Sequence, residues 1–98
     1  MNDDFFAAPP FNPDEALQRL KRELRELGLA ERAGVFERRA LAIARVAIDG
    51  AVIQAAVVKR PSRSSPEWQK KTLKTSADIR AFVADLKTKL AAWGDKDD

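Results

Sequence analysis

Side chains that could bind a charged or planar ligand are concentrated in residues 59–74. This segment contains six basic residues and one acidic residue, so its net charge is +5, whereas the whole chain of 98 residues has a net charge of +3. Lysine and arginine attract phosphates, and the flat indole ring of Trp68 can stack on any base. The pattern predicts a surface for single-stranded nucleic acid made of Lys59, Arg60, Arg63, Trp68, Lys70, Lys71 and Lys74.

The same segment has a simpler interpretation as a solvent-exposed loop followed by an edge strand. Lysines on an edge strand discourage pairing with another chain, and Trp68 could fill a gap beneath the loop. Sheets that bind RNA usually present two or three exposed aromatic side chains, whereas this segment contains one. The exposure of Trp68 beside the lysines therefore discriminates between the two interpretations.

The residue types that the chain lacks exclude most catalytic chemistry. It has no cysteine, histidine or tyrosine, so thiolate nucleophiles, the commonest general base and the usual zinc ligands are absent. The glycines at positions 28, 34, 50 and 94 are isolated and do not form a phosphate-binding loop. We therefore expect a binding protein without enzymatic activity, without a cofactor and without a metal site.

The strongest signal for local structure is the dipeptide Asp49–Gly50. It stands between two apolar, β-branched runs, which is typical of a β-hairpin and predicts two paired strands within about residues 40–59. With the turn at this dipeptide, Arg45 lies opposite Gln54. The other face of the hairpin is then entirely apolar, and a shift by one residue would destroy that sorting.

Amphipathic helices are predicted on both sides of the hairpin, over about residues 13–27 and 76–93. Asn12 is typical of a helix start, and Gly28 and Gly94 are typical of helix ends. Apolar residues recur every three or four positions in both segments, which places them on one side of each helix. The stripes consist of Leu17, Leu20, Leu24 and Leu27 in the first helix and Ile79, Phe82, Val83, Leu86, Leu90 and Trp93 in the second.

The order of the elements predicts an α+β domain. Short strands are expected at 34–38 and at 67–74, the latter on an edge, so the antiparallel sheet has three to four strands and is packed by the N-terminal and C-terminal helices. This single globular domain spans residues 13–94. We expect a flexible arm at 1–12, where prolines prevent regular structure, and a disordered acidic tail at 95–98.

A protein–protein interface is the alternative function. The face of the hairpin that carries Arg45 also carries apolar residues, and two helices need not cover both faces of a sheet. An uncovered apolar face could bind a partner protein or a second copy of this chain, and so could the phenylalanine-rich arm. The apolar residues concerned are Leu41, Ile43, Val52 and Val58 in the hairpin and Phe5, Phe6 and Phe11 in the arm.

No integral membrane association is expected. The apolar run Ala40–Val58 is interrupted by Arg45, Asp49 and Gln54, and an arginine or aspartate at the centre of a spanning helix costs about 2.5–3.5 kcal/mol. The acidic N-terminus lacks the basic and then apolar pattern of a secretory signal, so the sequence predicts a cytoplasmic protein. Attachment of the basic segment to an anionic membrane surface is a weaker alternative.

Overall fold

The computed structural model describes residues 11–96, which form one sheet and two helices. In chain order the elements are α1 (Pro13–Glu26), β1 (Ala30–Arg32), β2 (Val35–Arg38), β3 (Leu41–Asp49), β4 (Val52–Val58), β5 (Trp68–Leu73) and α2 (Ser76–Lys96). The strands are antiparallel and lie in the order β1-β2-β3-β4-β5. The predicted α+β architecture is confirmed. Most of the predicted arm and the last two residues of the predicted tail lie outside the described residues.

The sheet in this part of the chain has five strands rather than the predicted three to four. The additional strand is β1, whose three exposed residues pair with β2 across the tight turn at 33–34. Its sequence, Ala-Glu-Arg, contains no β-branched or aromatic residue, so propensity alone does not indicate a strand. At the other edge lies β5, as predicted.

The helix starts follow the sequence signals more closely than the helix ends do. The side chain of Asn12 accepts a hydrogen bond from the backbone amide of Glu15 at 3.2 Å, and Gly28 has a φ of +92° just after α1. Helix α2 instead continues through Gly94 to Lys96, so the predicted stop at this glycine is wrong. Neither helix in residues 11–96 has the length and apolar character needed to cross a bilayer.

The turn of the β3–β4 hairpin is formed by Gly50–Ala51 rather than by the predicted Asp49–Gly50. The glycine has a φ of +63°, as expected at the first position of a type II′ turn. Pairing is therefore shifted by two residues, and Arg45 lies opposite Ala56 instead of Gln54. Because a shift of two residues keeps side chains on the same face, the wrong register does not alter the predicted sorting of the faces.

Both helices pack on the same face of the sheet and contact each other. The apolar stripes of the helices and buried residues of the strands form a single core. Burying each large aliphatic or aromatic side chain contributes about 1.5–3 kcal/mol. The core residues are Leu17, Leu20, Leu24 and Leu29, then Phe36, Ile43, Ala44, Val46, Ile53, Ala55, Val57, Val58 and Leu73, and finally Ile79, Phe82, Val83, Leu86 and Leu90.

A β-bulge in β3 places two consecutive side chains in the core. Phe36 of β2 pairs with Ala44, whereas Glu37 pairs with Ala42, so Ile43 is the extra residue. Ile43 and Ala44 are 1% and 0% exposed, although regular alternation would place them on opposite faces. The prediction that Ile43 lies on the uncovered face of the hairpin is therefore wrong.

The turn between β2 and β3 is strained because neither of its residues is glycine. Arg39 and Ala40 have φ values of +56° and +67°, the pattern of a type I′ turn, which prefers Asn-Gly. A left-handed residue that carries a Cβ costs roughly 1–2 kcal/mol, whereas the flexibility of glycine costs roughly 0.5–1 kcal/mol. We therefore expect Ala40→Gly to raise the free energy of unfolding by about 0.5–1 kcal/mol in urea denaturation.

The matched control for this substitution is Ala47→Gly. Ala47 lies within β3, where the backbone is extended and glycine offers no relief. The same change there is expected to lower the free energy of unfolding by about 0.5–1 kcal/mol. A loss of stability of this size for Ala40→Gly would contradict the strain inferred from the two positive φ values.

Candidate nucleic-acid interface

The sheet has one face that the two helices do not cover. Lys71 and Leu73 of β5 lie on the helix-covered side, so the residues that alternate with them lie on the other side. We call this second side the open face; its side chains include those of Val35, Arg45, Ala47, Gln54, Ala56, Trp68, Lys70 and Thr72. A shallow depression of about 510 Å³ on the open face is lined only by residues of the strands and of one hairpin turn.

Arg45 stacks on Trp68 at one end of the open face. The guanidinium carbon lies 4.5 Å from the centroid of the indole ring, well within cation–π range. The two residues belong to β3 and β5, and Ala56 of the intervening β4 lies directly opposite Arg45. Because Ala56 carries only a methyl group, the arginine can reach across β4 to the ring.

Trp68 is neither fully exposed nor fully buried. It is half-buried and packs against the core, and it lies opposite Val58 at the start of β5. Val58 is 0% exposed, so the prediction that it contributes to an uncovered apolar face is wrong. The guanidinium of Arg45 lies over the indole ring, so the two side chains form a combined aromatic and cationic surface.

Polar side chains continue the open face along β4 and β5. Lys70 is exposed and pairs with Ala56, and Thr72 pairs with Gln54. The Thr72 hydroxyl donates a hydrogen bond to Oε1 of Gln54 at 3.2 Å. Neither β4 nor β5 contains an acidic residue, so the charges on these two strands favour an anionic ligand.

Lys71 lies on the opposite side of the sheet from Trp68 and Lys70. Its ammonium group is 3.8 Å from the carboxylate of Asp85 in α2, and the same carboxylate accepts a hydrogen bond from Lys89. That hydrogen bond lowers the pKa of Asp85 below its ordinary value; partial burial opposes the shift, and the charges of both lysines add to it. Lys71 and Trp68 are three residues apart in β5, so their side chains point to opposite faces, as alternation along the predicted strand 67–74 implies.

The other predicted site residues lie at the two ends of the sheet. Lys59, Arg60 and Arg63 belong to the loop that leads directly into Trp68, and the ammonium of Lys59 is 3.7 Å from the carboxylate of Glu67. Lys74 follows β5 at the opposite end, close to the start of α2. The loop cations therefore lie at the Trp68 end of the sheet, and Lys74 lies at the far end.

Arg45 is the main residue of the site that the predicted set lacks. It is the one charged residue in the apolar run Ala40–Ile48, and the predicted hairpin places it with Gln54 on a sheet face that could adjoin the basic segment. Its contact with Trp68, however, depends on the order of β3, β4 and β5 in the sheet. Gln54 and Thr72 join the site for the same reason.

Comparison of the chain with protein-family models, curated proteins and solved structures finds no match. We therefore infer the function from the chemistry of the open face. Its components are the stack of Arg45 on Trp68, the exposed ammonium group of Lys70 and the hydrogen-bonded pair of Gln54 and Thr72.

Proposed function

We propose that the protein is a non-enzymatic module that binds single-stranded nucleic acid on the open face. The observation that carries the proposal is the stack of Arg45 on Trp68 on a side of the sheet that the helices leave uncovered. Proteins that bind single strands combine cationic groups, which contact phosphates, with planar groups, on which bases stack. The open face supplies both within three neighbouring strands.

A base stacks on the planar surface formed by Arg45 and Trp68, while Lys70 contacts a phosphate. Arginine guanidinium planes and aromatic rings both serve as stacking surfaces for unpaired bases. The loop cations Lys59, Arg60 and Arg63 lie at the Trp68 end, where the strand continues past the edge of the sheet. A duplex is a poorer ligand because its bases are already stacked on one another.

The proposal is tested by titrating the protein with single-stranded oligonucleotides and following tryptophan fluorescence. The chain has two tryptophans, so Trp93→Phe leaves Trp68 as the only fluorophore. We expect quenching by DNA or RNA oligomers of about ten nucleotides, with an affinity that falls as salt is added. Unchanged fluorescence at low salt with oligomers of varied sequence would overturn the proposal.

Two neighbouring lysines supply a matched pair of variants for the same titration. Lys70→Ala removes an exposed charge from the open face, and we expect weaker binding with a salt slope smaller by about 0.7 for one lost phosphate contact on a single strand. Lys71→Ala removes a charge from the helix-covered side, so both quantities stay at the wild-type values. Equal losses in the two variants would indicate nonspecific attraction rather than a site on the open face.

The alternative interface through an apolar sheet face has less support. Of the four hairpin residues that were predicted to form it, Ile43 and Val58 are buried and Leu41 and Val52 are half-buried. Ile48, 38% exposed, is the one exposed large hydrophobic residue in the described part of the chain. A partner protein or second copy that binds the arm stays a prediction, because Phe5 and Phe6 lie outside the described residues.

A further inference from the structure

The outer edge of β5 carries backbone groups that pair with no strand in the described part of the chain, because the sheet in residues 11–96 ends at β5. The amide of Lys59 donates to the carbonyl of Glu67 at 2.9 Å, so these two residues continue the β4–β5 ladder as a hydrogen-bonded pair. Such pairs alternate along an antiparallel ladder. The backbone groups of residues 68, 70 and 72 therefore point away from β4 and are available to an added strand.

The length of the available edge is limited at both ends. The exposed side chains of β5 are those of residues 69–72. Beyond them, the outward amide of Lys74 already donates to Oδ2 of Asp78 at 2.9 Å. At the other end, Pro66 has no amide hydrogen but keeps a carbonyl that can accept. An added strand can therefore pair with about residues 66–72.

We propose that this edge pairs with the same edge of a second copy of the chain. The two β5 strands run antiparallel, and Gln69 of one copy lies opposite Gln69 of the other on a twofold axis. In this register Trp68 lies opposite Lys70 of the second copy, and Lys71 lies opposite Glu67 of the second copy. The two sheets join into one continuous sheet.

The charges of β5 select this register. A twofold axis at Lys70 or at Lys71 would place that lysine directly opposite its own copy, and like charges in that position are destabilising. An axis at Trp68 opposes no two lysines, but it leaves Thr72 beyond the second β5 strand. The axis at Gln69 uses the outward backbone groups of all three residues 68, 70 and 72. The edge lysines, which discourage indiscriminate pairing, therefore exclude the competing registers.

Complementary side chains meet on both faces of the proposed junction. Directly opposite residues have Cβ atoms about 4.5–5.5 Å apart, which brings the Lys70 ammonium within cation–π range of the Trp68 ring of the second copy. On the helix-covered side, Lys71 reaches the carboxylate of Glu67. Their side chains are 44% and 77% exposed in the single chain, so both are accessible to the second copy.

The dimer places two stacks of Arg45 on Trp68 on one surface. Residues that lie opposite each other share a face of the sheet, so the open faces of the two copies are continuous. The two Trp68 residues are diagonal neighbours, about 7–8 Å apart. Sheets that bind RNA usually present two or three aromatic side chains, and the dimer supplies two. This consequence rests on the proposed function, whereas the dimer itself does not.

Charge exchange between the two copies tests the pairing in the absence of nucleic acid. Sedimentation equilibrium at concentrations up to about 1 mM should show a dimer of the full chain. Glu67→Lys and Lys71→Glu each place like charges opposite each other twice, so we expect the dissociation constant to rise by about tenfold or more. In an equal mixture of the two variants every pair is again opposite in sign. The mixture should therefore form dimers as the wild type does, which also shows that both variants are folded.

A cysteine cross-link tests the register. The chain has no cysteine, so Gln69→Cys introduces a single thiol. The two copies of residue 69 form a pair without hydrogen bonds, with Cα atoms about 4.5 Å apart, which is within the range of a disulfide. Mild oxidation should link this variant into a covalent dimer. The matched control is Lys71→Cys, whose two copies lie roughly 14 Å apart at 3.4 Å per residue, so it should not be linked.

The outcomes separate this inference from the proposed function. A chain that stays monomeric at about 1 mM, a mixture that does not recover dimers, or a cross-link at position 71 in place of position 69 would overturn the proposed dimer. A monomer whose tryptophan fluorescence is quenched by oligonucleotides would leave the proposed function intact. A dimer in this register that binds none of the oligonucleotides would support the pairing and overturn the proposed function.

Discussion

Replacing Trp68 by alanine is expected to weaken the binding of single-stranded oligonucleotides by about tenfold or more. A base stacked on an aromatic side chain contributes roughly 1–3 kcal/mol when measured by alanine substitution, and the open face has one aromatic residue for this purpose. The loss should be larger than for Lys70→Ala, because the indole also holds the guanidinium of Arg45 in place. Fluorescence anisotropy of a labelled oligonucleotide measures the affinity independently of the tryptophan signal.

The control for this variant must separate binding from stability, since Trp68 also packs against the core. Trp68→Leu retains an apolar side chain opposite Val58 but offers no planar surface, so it should stay folded and still lose binding. Trp68→Phe keeps a smaller ring and should retain part of the affinity. Wild-type affinity in a folded Trp68→Leu variant would show that stacking on this residue does not contribute.

Phe36→Ala is expected to have the largest effect on stability. Phe36 heads the group of largest fully buried side chains, and it pairs with Ala44 at the bulge that holds Ile43 in the core. Truncation of a buried phenylalanine costs about 3–5 kcal/mol, against a total stability of about 5–15 kcal/mol for a typical domain. Chemical denaturation should therefore show a large fall in the midpoint, or an unfolded protein at physiological temperature.

Two variants calibrate this result. Phe36→Leu keeps an apolar side chain of similar shape and is expected to cost less than the alanine variant. Ile48→Ala truncates a side chain that is 38% exposed, and we expect a change of about 0.5 kcal/mol or less, as for most surface positions. A cost for Phe36→Ala no larger than that for Ile48→Ala would show that β2 is not part of the cooperative core.

The helices were predictable because their signals are local. Asn12 caps α1 as expected, and the apolar stripes of both helices form the core. The end of α2 was not predictable from Gly94, because a glycine terminates a helix only where the chain adopts a left-handed conformation, and here the helix continues to Lys96. The low helix propensity of glycine indicated that α2 would end at Gly94, but the backbone at this residue remains helical.

The sheet was predictable in its faces but not in its register. Alternation placed the hairpin residues between Ala44 and Val57 on the correct faces, and a two-residue shift of the turn to Gly50–Ala51 left that assignment unchanged. Strand β1 and the bulge at Ile43 were missed, because both depend on pairing with β2 rather than on a local pattern. The strain at Arg39 and Ala40 is likewise a product of that pairing.

The sequence by itself determined which reactive groups the protein has, namely a basic segment around Trp68 and no histidine or cysteine. It also determined the α+β order of the elements. The tertiary structure decided which of those cations can act together. It placed Lys71 beside Asp85 on the helix-covered side and brought Arg45 across β4 onto Trp68. The physical reason is that charge and aromaticity belong to single residues, whereas a binding face is made by strand order, pairing and alternation between residues that are distant in the chain.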